Sequence, residues 1–226
     1  MKIWHISDTH SYHDLLVMPE GIDMVVHSGD FSNYYGVERN EPEALTFIHW
    51  FGKLPIQYKV LIAGNHDAYA FHYKKQLEEW CKHYNINYLE NDYVTIEGVK
   101  IFGSPNTPTF SNWYFMKSRD KMHNHWDKVD EDIDIFIVHG PPKGILDLSY
   151  SREGILEYCG CTALRKHILF RIKPKLCLFG HIHNSEDIIN AGILKLSAFE
   201  TTFSNGSVVT DRKFGQLSSN GNILEI

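Results

Sequence analysis

The segment Lys2–His10, K-I-W-H-I-S-D-T-H, decides the fold because its pattern recurs along the chain. The apolar residues between Ile3 and Ile6 predict a short buried strand at the N-terminus. Two polar residues follow, Asp8 and His10, and in extended backbone side chains two positions apart point to the same side. A carboxylate and an imidazole that converge at a strand end suit a first-row transition metal. The segment therefore predicts a buried strand that ends in a pair of metal ligands.

Four further apolar runs predict buried strands, and polar residues follow each of them directly. The predicted strands are Asp23–Ser28, Lys59–Ala63, Asp134–Val138 and Lys175–Phe179. The polar segments after them are Gly29-Asp30, Gly64-Asn65-His66-Asp67, His139-Gly140-Pro141-Pro142 and Gly180-His181-Ile182-His183. A glycine beside a ligand permits the sharp turn and the close backbone approach that a crowded ion site requires.

Helices and turns are predicted between these strands. Three helices are predicted. The first starts at Asn40-Glu41-Pro42-Glu43 with Asn40 as the cap, the second includes Leu77–Tyr84, and the third spans Thr162–Ile172. The predicted β-turns are Glu97-Gly98 in a hairpin, and Asn205-Gly206 and Asn220-Gly221 in a β meander that starts at Ile193. Strands that alternate with helices indicate an α/β fold. In such folds ligands bind at the carboxyl ends of the strands, where every polar segment falls.

Length and composition limit the classes of function. The chain has 226 residues, which we expect to form a single domain over residues 1–226. A net charge of −6 argues against binding of long nucleic acid. The first 25 residues show no signal-peptide pattern, and no apolar run is long enough for a membrane span, so we expect a cytoplasmic protein that does not bind membranes. The four cysteines, 81, 159, 161 and 177, do not form a zinc-site spacing, and we expect no disulfides.

The polar residues at the strand ends form one candidate metal site. The proposed ligands are Asp8, His10, Asp30, Asn65, His139, His181 and His183. Seven ligands are too many for one ion and suit two divalent ions that share a carboxylate. Oxygen and nitrogen donors without thiolate suit Mn, Fe, Co, Ni or Zn, of which we expect manganese. Two ions roughly 3.5–4 Å apart clamp a phosphoryl group and make a bound water nucleophilic near neutral pH.

The remaining catalytic residues follow from what the chain does not contain. It has no nucleophile elbow and no P-loop, so direct attack by a metal-bridging hydroxide is the economical mechanism. The leaving oxygen then needs a proton. His66, beside the ligand Asn65, is an imidazole without another role, and we expect it to be the proton donor. Asp67 is expected to orient His66.

The ordered motifs D-x-H, G-D, G-N-H-D, H-G-P-P and G-H-I-H, from Asp8 to His183, resemble the calcineurin-like metallophosphoesterases. Segments such as H-S-G-D-F, F-G-S-P-N-T-P and V-H-G-P-P-K-G are similar to one branch, the metallophosphoesterase-domain proteins of the brain-239 type. The resemblance implies a four-layer α/β/β/α sandwich and hydrolysis of phosphate esters, with cyclic nucleotides such as 2′,3′-cAMP as the leading substrates. It also implies a distribution of ligands. The first metal would be held by Asp8, His10 and His183, the second by Asn65, His139 and His181, with Asp30 as the bridge.

Several alternatives remain open at this point. The aromatic segment Asn106–Phe115 is either a lid packed on the core, which we favour, or a platform that stacks a nucleobase. Lys143 and Arg152 follow H-G-P-P and are either phosphate ligands or, as we favour, solvated charges. A phosphomonoesterase or phosphoprotein phosphatase is a second enzymatic hypothesis, although Phe31–Gly36 lacks the Asp-Arg pair of the protein phosphatases. A nucleotide-binding module with a relic metal site is the non-enzyme hypothesis. Protein partners and the role of the tail after Thr202 are not predicted.

Overall fold

A computed structural model describes residues 1–151, 153–211 and 216–226. The strands within these ranges are β1 (Lys2–Ile6), β2 (Met24–Ser28), β3 (Tyr58–Ile62), β4 (Ile86–Tyr88), β5 (Asp92–Ile96), β6 (Val99–Ser104), β7 (Thr107–Pro108), β8 (Met116–Lys117), β9 (Ile135–Val138), β10 (Leu148–Tyr150), β11 (Leu156–Tyr158), β12 (Leu176–Phe179), β13 (Gly192–Lys195), β14 (Thr202–Asn205) and β15 (Asn222–Glu225).

The helices of the described residues are fewer than the strands. They are α1 (Val37–Lys53), α2 (Ala68–His72), α3 (Lys74–His83), α4 (Met122–Trp126) and α5 (Thr162–His167). Single turns of 3₁₀-helix lie at His13–Leu15 and Arg119–Lys121, and α5 continues as one turn of π-helix, Ile168–Ile172. None of these helices is long and apolar enough to cross a lipid bilayer.

Two sheets carry the site. In the first, the order is β15-β1-β2-β3-β4, with β1 to β4 parallel and β15 antiparallel to β1. In the second, the order is β13-β14-β12-β9-β6-β5. Its central strands β6, β9, β12 and β14 are parallel, and β5 and β13 are antiparallel edges. Antiparallel edges on an otherwise parallel sheet are common in α/β proteins.

The two sheets pack face to face with helices on both outer sides. Alternate residues of each strand face the layer between the sheets, where Val26 and Val60 of the first sheet join a cluster with Ile137 of the second. The opposite face of the first sheet packs against α1 and α3, and that of the second sheet against α4 and α5. This is the four-layer α/β/β/α arrangement, so the predicted fold class is confirmed. The strands at the five motifs and the hairpin at Glu97-Gly98 are confirmed as well.

The predicted start of the first helix is wrong. Helix α1 begins at Val37, because the backbone N–H groups of Arg39 and Asn40 already bond to the carbonyl of Gly36. Asn40 does not cap the helix; its amide group donates to the carbonyls of Tyr34 and His66 and accepts from the N–H of Tyr69. The side chain holds α1 against the segment after β3.

The predicted β meander in the tail is also wrong. Strands β13 and β14 form a hairpin in the second sheet, but β15 joins the first sheet beside β1. The chain does not reverse at Gly206. Its N–H donates to the carbonyl of Phe179 at the end of β12, and its carbonyl accepts from Ser7 at the end of β1. The segment after β14 therefore passes from one sheet to the other.

Candidate dinuclear metal centre

The seven expected metal ligands lie together at the carboxyl ends of five strands. Strands β1, β2 and β3 are neighbours in the first sheet, and β9 and β12 are neighbours in the second. The five ligands from β1, β2, β3 and β9 are at most 6% exposed, and the two that follow β12, His181 and His183, are half-buried. The two packed sheets thus bring residues 8 to 183 into one place.

The first group of expected ligands consists of Asp8, His10 and His183. Nε2 of His183 lies 3.2 Å from Oδ1 of Asp8 and 3.3 Å from Nε2 of His10. Donor atoms about 2.0–2.2 Å from a tetrahedral ion lie a little over 3 Å from one another. Carboxylate and imidazole donors at this spacing fit a divalent transition metal.

The second group surrounds His139. Its Nε2 lies 3.0 Å from Oδ1 of Asn65 and 3.2 Å from Oδ2 of Asp30. A ligand atom of His181 also lies within 4.8 Å of those of Asp30 and His139. The same Oδ2 of Asp30 is 3.9 Å from Nε2 of His10 in the first group. Asp30 therefore lies between the two groups, where a bridging carboxylate has to be.

Left-handed backbone, not extended strand, directs these side chains into the site. Strand β1 ends at Ile6, and φ is +53° at Asp8 and +41° at His10. Asp30 and His181 are also left-handed, at +57° and +69°. Such conformations cost free energy and persist where the surrounding contacts impose them, often at functional sites. The expectation that Asp8 and His10 converge through extended geometry gave the right neighbours for the wrong reason.

Glycines make room for the ligands. A Cβ atom on Gly64 would lie 2.3 Å from Oδ1 of Asp30, and a Cβ on Gly180 would lie 2.1 Å from Oδ2 of Asp8. Both distances are far inside van der Waals contact. The glycine next to a ligand is thus required by close approach of the backbone to a carboxylate.

Backbone carbonyl groups orient three of the imidazoles. Nδ1 of His10 contacts the carbonyl of Ser32 at 3.1 Å, and Nδ1 of His139 contacts that of Ser28 at 2.9 Å. Since a carbonyl only accepts, Nδ1 carries the hydrogen in each case, and the lone pair of Nε2 faces the site. His66 is held in the same way, with Nδ1 3.0 Å from the carbonyl of Asn33.

Carboxylates hold protons on two of the histidines when only the protein groups act. Burial would lower the pKa of His139, but the charge of Asp30, the hydrogen bond with it and the charge of Asp8 raise that pKa to about 9. Burial also opposes protonation of His183, whereas hydrogen bonds with Asp211 and Asp8 raise its pKa to about 10. Cations bound near these carboxylates take the place of those protons.

Burial determines the pKa values of the other two histidines, His10 and His181. It lowers the pKa of His10 to about 4 and that of His181 to about 3, because no carboxylate contact is strong enough to offset it. Burial would raise the pKa of Asp30, but the neighbouring histidines hold it well below its usual range. The site is thus a charged carboxylate surrounded by imidazoles.

Asp67 does not contact the ring of His66 as expected. Its Oδ2 accepts from the N–H groups of Gly64 at 2.7 Å and Asp30 at 2.9 Å, and its Oδ1 accepts from Ser32 at 2.9 Å. Both carboxylate oxygens are therefore occupied by the turns after β2 and β3. The orienting partner of His66 is the carbonyl of Asn33, and Asp67 positions the backbone that carries the ligands.

A cavity of about 900 Å³ opens over the ligands. Aromatic side chains line it. Trp113 lies over His66 with ring centroids 4.2 Å apart, and Phe110 lies 5.2 Å from His181. Tyr150 and Tyr158 of the β10–β11 hairpin line it as well. Phe115 of the segment 106–115 is buried in the core, as the favoured lid interpretation predicts, whereas Phe110 and Trp113 line the cavity.

Lys143 and Arg152 are the two basic residues for which solvated charge is the favoured interpretation. Lys143 is exposed, in agreement with that interpretation, and it lines the cavity. Arg152 lies outside the described residues.

Sequence reasoning missed three supporting residues. His5, in β1, is completely buried between the hydroxyls of Ser28 and Ser204 and links the two sheets below the site. Asn40 holds the segment after β3. Asp211, in the tail, lies 2.8 Å from Nδ1 of His183. No motif marks His5 or Asp211, and the capping motif at Asn40 predicts a different role, since each residue acts through contacts made only in the folded chain.

A second group of potential ligands lies between α4 and α5. Nδ1 of His123 is 2.7 Å from Nε2 of His167, and Asp127 is near both. Arg171 donates its Nε–H to Nδ1 of His167, so Nε2 of that ring carries the hydrogen and donates to His123. The protonated Nε2 has no lone pair for a metal, and the group is a hydrogen-bonded chain.

Comparisons with known proteins agree with this geometry. Residues 1–185 match the family model described as calcineurin-like phosphoesterase. The chain is 34% identical over 230 residues to metallophosphoesterase domain-containing protein 1 of Homo sapiens, and equally to that of Mus musculus; the match covers 91% of this chain. The chain spans 65% of the length of these relatives.

Solved structures show the same fold at low sequence identity. One, at 15% identity and a TM-score of 0.66, covers 90% of this chain and 89% of its own. A putative 5′-nucleotidase from Staphylococcus aureus, at 12% identity and a TM-score of 0.51, covers 92% of this chain and 49% of its own. The match of residues 1–185 shows that the chain belongs to the calcineurin-like phosphoesterase family, a family of metal-dependent phosphoester hydrolases that generally use two divalent metals.

Proposed function

We propose that this chain hydrolyses small phosphodiesters, with cyclic nucleotides such as 2′,3′-cAMP as the leading substrates, using two divalent ions, of which manganese is the first choice. Asp30 carries the proposal, because its Oδ2 lies 3.2 Å from a ligand atom of one group and 3.9 Å from one of the other. In this assignment Asp8, His10 and His183 hold one ion. Asn65, His139 and His181 hold the other, with Asp30 shared.

The ions supply Lewis-acid polarisation of the phosphoryl oxygens and a nucleophilic water at neutral pH. The chain itself supplies the leaving-group proton. As the bond from phosphorus to the attacking oxygen forms and the bond to the leaving oxygen breaks, the leaving oxygen gains negative charge. The imidazolium form of His66 neutralises it by transferring its Nε2 proton, and its Nδ1–H stays bonded to the carbonyl of Asn33.

The surroundings of His66 support this role. Its Nδ1 is tied to the carbonyl of Asn33, which leaves Nε2 as the nitrogen available to a substrate. Trp113 covers one side of the ring at 4.2 Å, and His10 contacts it edge-on at 4.6 Å. A ring held on two sides can deliver a proton in one direction without a further carboxylate.

The cavity supports a nucleotide-sized substrate. At about 900 Å³ it exceeds what a phosphate needs and lies within the size range of small-molecule sites. Phe110, Tyr150 and Tyr158 are each about half exposed there. Stacking of a base on such rings is worth on the order of 1–3 kcal/mol.

The proposed location is the cytoplasm. The four cysteines are free thiols, and three of them are buried. Free thiols are typical of a reducing compartment.

The decisive experiment is a substrate screen on Mn²⁺-loaded protein. We expect turnover of bis-p-nitrophenyl phosphate and of 2′,3′-cyclic nucleotides, with slower turnover of p-nitrophenyl phosphate. Asp30→Ala should lower kcat/KM by at least about 1,000-fold, because it removes the shared ligand. Asp132→Ala is the matched control, since Asp132 is 79% exposed and precedes β9 at the strand end opposite the site.

Three outcomes would contradict the proposal. A preference for monoesters or phosphopeptides would favour the phosphatase hypothesis. Tight binding of cyclic nucleotides with no turnover in metal-replete protein would favour the binding-module hypothesis. Equal loss of activity in Asp30→Ala and Asp132→Ala would show that Asp30 has no special role in catalysis.

A further inference from the structure

The segment 206–211 lies between the end of β1 and the loop after β12, each of which carries ligands of the first group. On one side, Ser207 pairs with Ser7, and the N–H of Val208 donates to the carbonyl of Ser7, directly before the ligand Asp8. On the other side, Thr210 pairs with Asn184, directly after the ligand His183. This segment follows residue 185, where the family match ends. The tail therefore lies against ligands of the first metal group although it is outside the family motifs.

The segment ends at Asp211, whose position is set by its neighbours. The N–H of Asp211 donates to the carbonyl of Asn184 at 3.0 Å, and the hydroxyl of Thr210 donates to the same carbonyl at 3.1 Å. This places Oδ1 of Asp211 2.8 Å from Nδ1 of His183. The opposite nitrogen of that ring, Nε2, faces Asp8 and His10.

We propose that Asp211 is a positioning residue for the first metal. Its carboxylate accepts the Nδ1–H of His183, holds the ring in the tautomer that directs the Nε2 lone pair at the ion, and strengthens that nitrogen as a donor. The inference rests on His183 being a metal ligand, as proposed above.

The kind of acceptor distinguishes His183 from other histidines of the site. His10 and His139 donate Nδ1–H to neutral backbone carbonyls, whereas His183 donates to a charged side chain. A carboxylate on the distal nitrogen raises the basicity of an imidazole more than a carbonyl does, and loss of such a partner typically costs 10–100-fold in metal affinity or activity. His183 is also half-buried and follows a loop, so it has less packing to fix its ring. Asp211 supplies the missing restraint.

The test uses Co²⁺, whose visible absorption reports on its ligands. Four proteins are stripped with a chelator and titrated with Co²⁺ in the absence of substrate: the wild type, Asp211→Ala, Asp211→Asn and Asp187→Asn. Asp187 is the matched control, as an exposed carboxylate on the loop after His183. We expect Asp211→Ala to lower the affinity for one of the two Co²⁺ ions by about 10–100-fold and to shift the absorption band of that ion. The Co²⁺ affinity of Asp211→Asn should lie between those of the wild type and Asp211→Ala, because the amide oxygen still accepts the N–H of His183 but carries no charge.

The outcomes distinguish the role of Asp211 from the assignment of His183 as a metal ligand. His183→Ala should lose the weakened band completely; if it keeps both bands, His183 is not a ligand and the role of Asp211 is excluded with it. If His183→Ala loses the band but Asp211→Ala titrates like Asp187→Asn, only the role of Asp211 is overturned. Asp211 is 65% exposed, so Asp211→Ala should still fold, and the far-UV circular dichroism of the stripped variant should match that of the wild type. Equal weakening of both ions would indicate a general structural effect and would also overturn the inference.

Discussion

The carboxylate of Asp30 is fixed by contacts that leave little freedom for its neighbours. Its Oδ1 accepts from the N–H of His66 at 2.7 Å, and its Oδ2 faces His139. Its own N–H is held by Asp67, and the backbone of Gly64 lies against its Oδ1. A displacement of about 1 Å at a reacting centre can cost 100-fold in rate. Small changes in the residues around Asp30 should therefore alter activity more than stability.

Substitution of Gly64 tests this directly. We expect Gly64→Ala to lower kcat/KM at least about 100-fold and to weaken metal binding, because the new Cβ would meet Oδ1 of Asp30 at 2.3 Å. Gly98→Ala is the control. Gly98 has φ of +80° with open space around it, so alanine there costs about 1–2 kcal/mol of turn strain and leaves the site intact. Kinetics and urea unfolding of both variants would distinguish the effects; equal activity in the two would contradict the expectation.

At the scale of elements, β15 completes the first sheet. It pairs with β1 through four residues, and its Leu224 is 6% exposed in the layer between the sheets. The neighbouring Ile223 is 38% exposed. Strand β1 leads directly into Asp8 and His10, so the pairing supports the site as well as the sheet.

Leu224→Ala should lower the unfolding free energy by about 2–5 kcal/mol, because it leaves a cavity between two packed sheets. Ile223→Ala, on the same strand and of equal size, should cost about 1 kcal/mol or less. Urea denaturation of chelator-treated protein measures both. A cost for Ile223→Ala as large as that for Leu224→Ala would show that strand pairing, not burial, stabilises this edge.

The elements that could be predicted from sequence are those with local signals. Apolar runs followed by Gly, Asp or His marked the ends of β1, β2, β3, β9 and β12, and the structure has strands there. The start of α1 was misplaced because Asn40, a favoured cap residue, is used instead for a tertiary contact with Tyr69. Strand β15 was misassigned because pairing with β1 joins residues more than 200 positions apart. Asp211 left no signal because its contact with His183 depends on the pairing of Thr210 with Asn184 in the folded chain.

At the scale of the whole molecule, the proposed ligands come from both sheets. Asp8, His10, Asp30 and Asn65 follow strands of the first sheet, and His139, His181 and His183 follow strands of the second. Bound ions would therefore cross-link the two halves of the sandwich and stabilise it by mass action. Protons on the histidines are the competitors of those ions.

The stability of the protein should consequently change with pH in opposite directions with and without metal. In chelator-stripped protein, the pKa of His139 is raised from 6.5 to about 9 and that of His183 to about 10, so their contribution is complete below pH 6.5 and is lost as pH rises toward 9. His10 and His181, with lowered pKa values, destabilise only below pH 6.5. In protein saturated with a divalent metal, stability should instead increase from pH 6.5 to 8.5, since deprotonated imidazoles bind the ions.

Urea unfolding at pH 6.5 and 8.5, with chelator and with excess metal, measures both slopes. Parallel slopes in the two conditions would contradict the expectation. The Asp30→Ala variant is the control, because loss of the principal partner of His139 should reduce the decline in stripped protein.

The antiparallel pairing of β1 with β15 also has a consequence for folding during synthesis. The paired residues are about 220 positions apart, so β15 leaves the ribosome long after β1. In the interval the outer edge of β1 has no neighbouring strand, and an unpaired strand edge favours association with other chains. We therefore expect a nascent chain that lacks β15 to depend on protection of that edge, as a chaperone provides, more than the folded protein does.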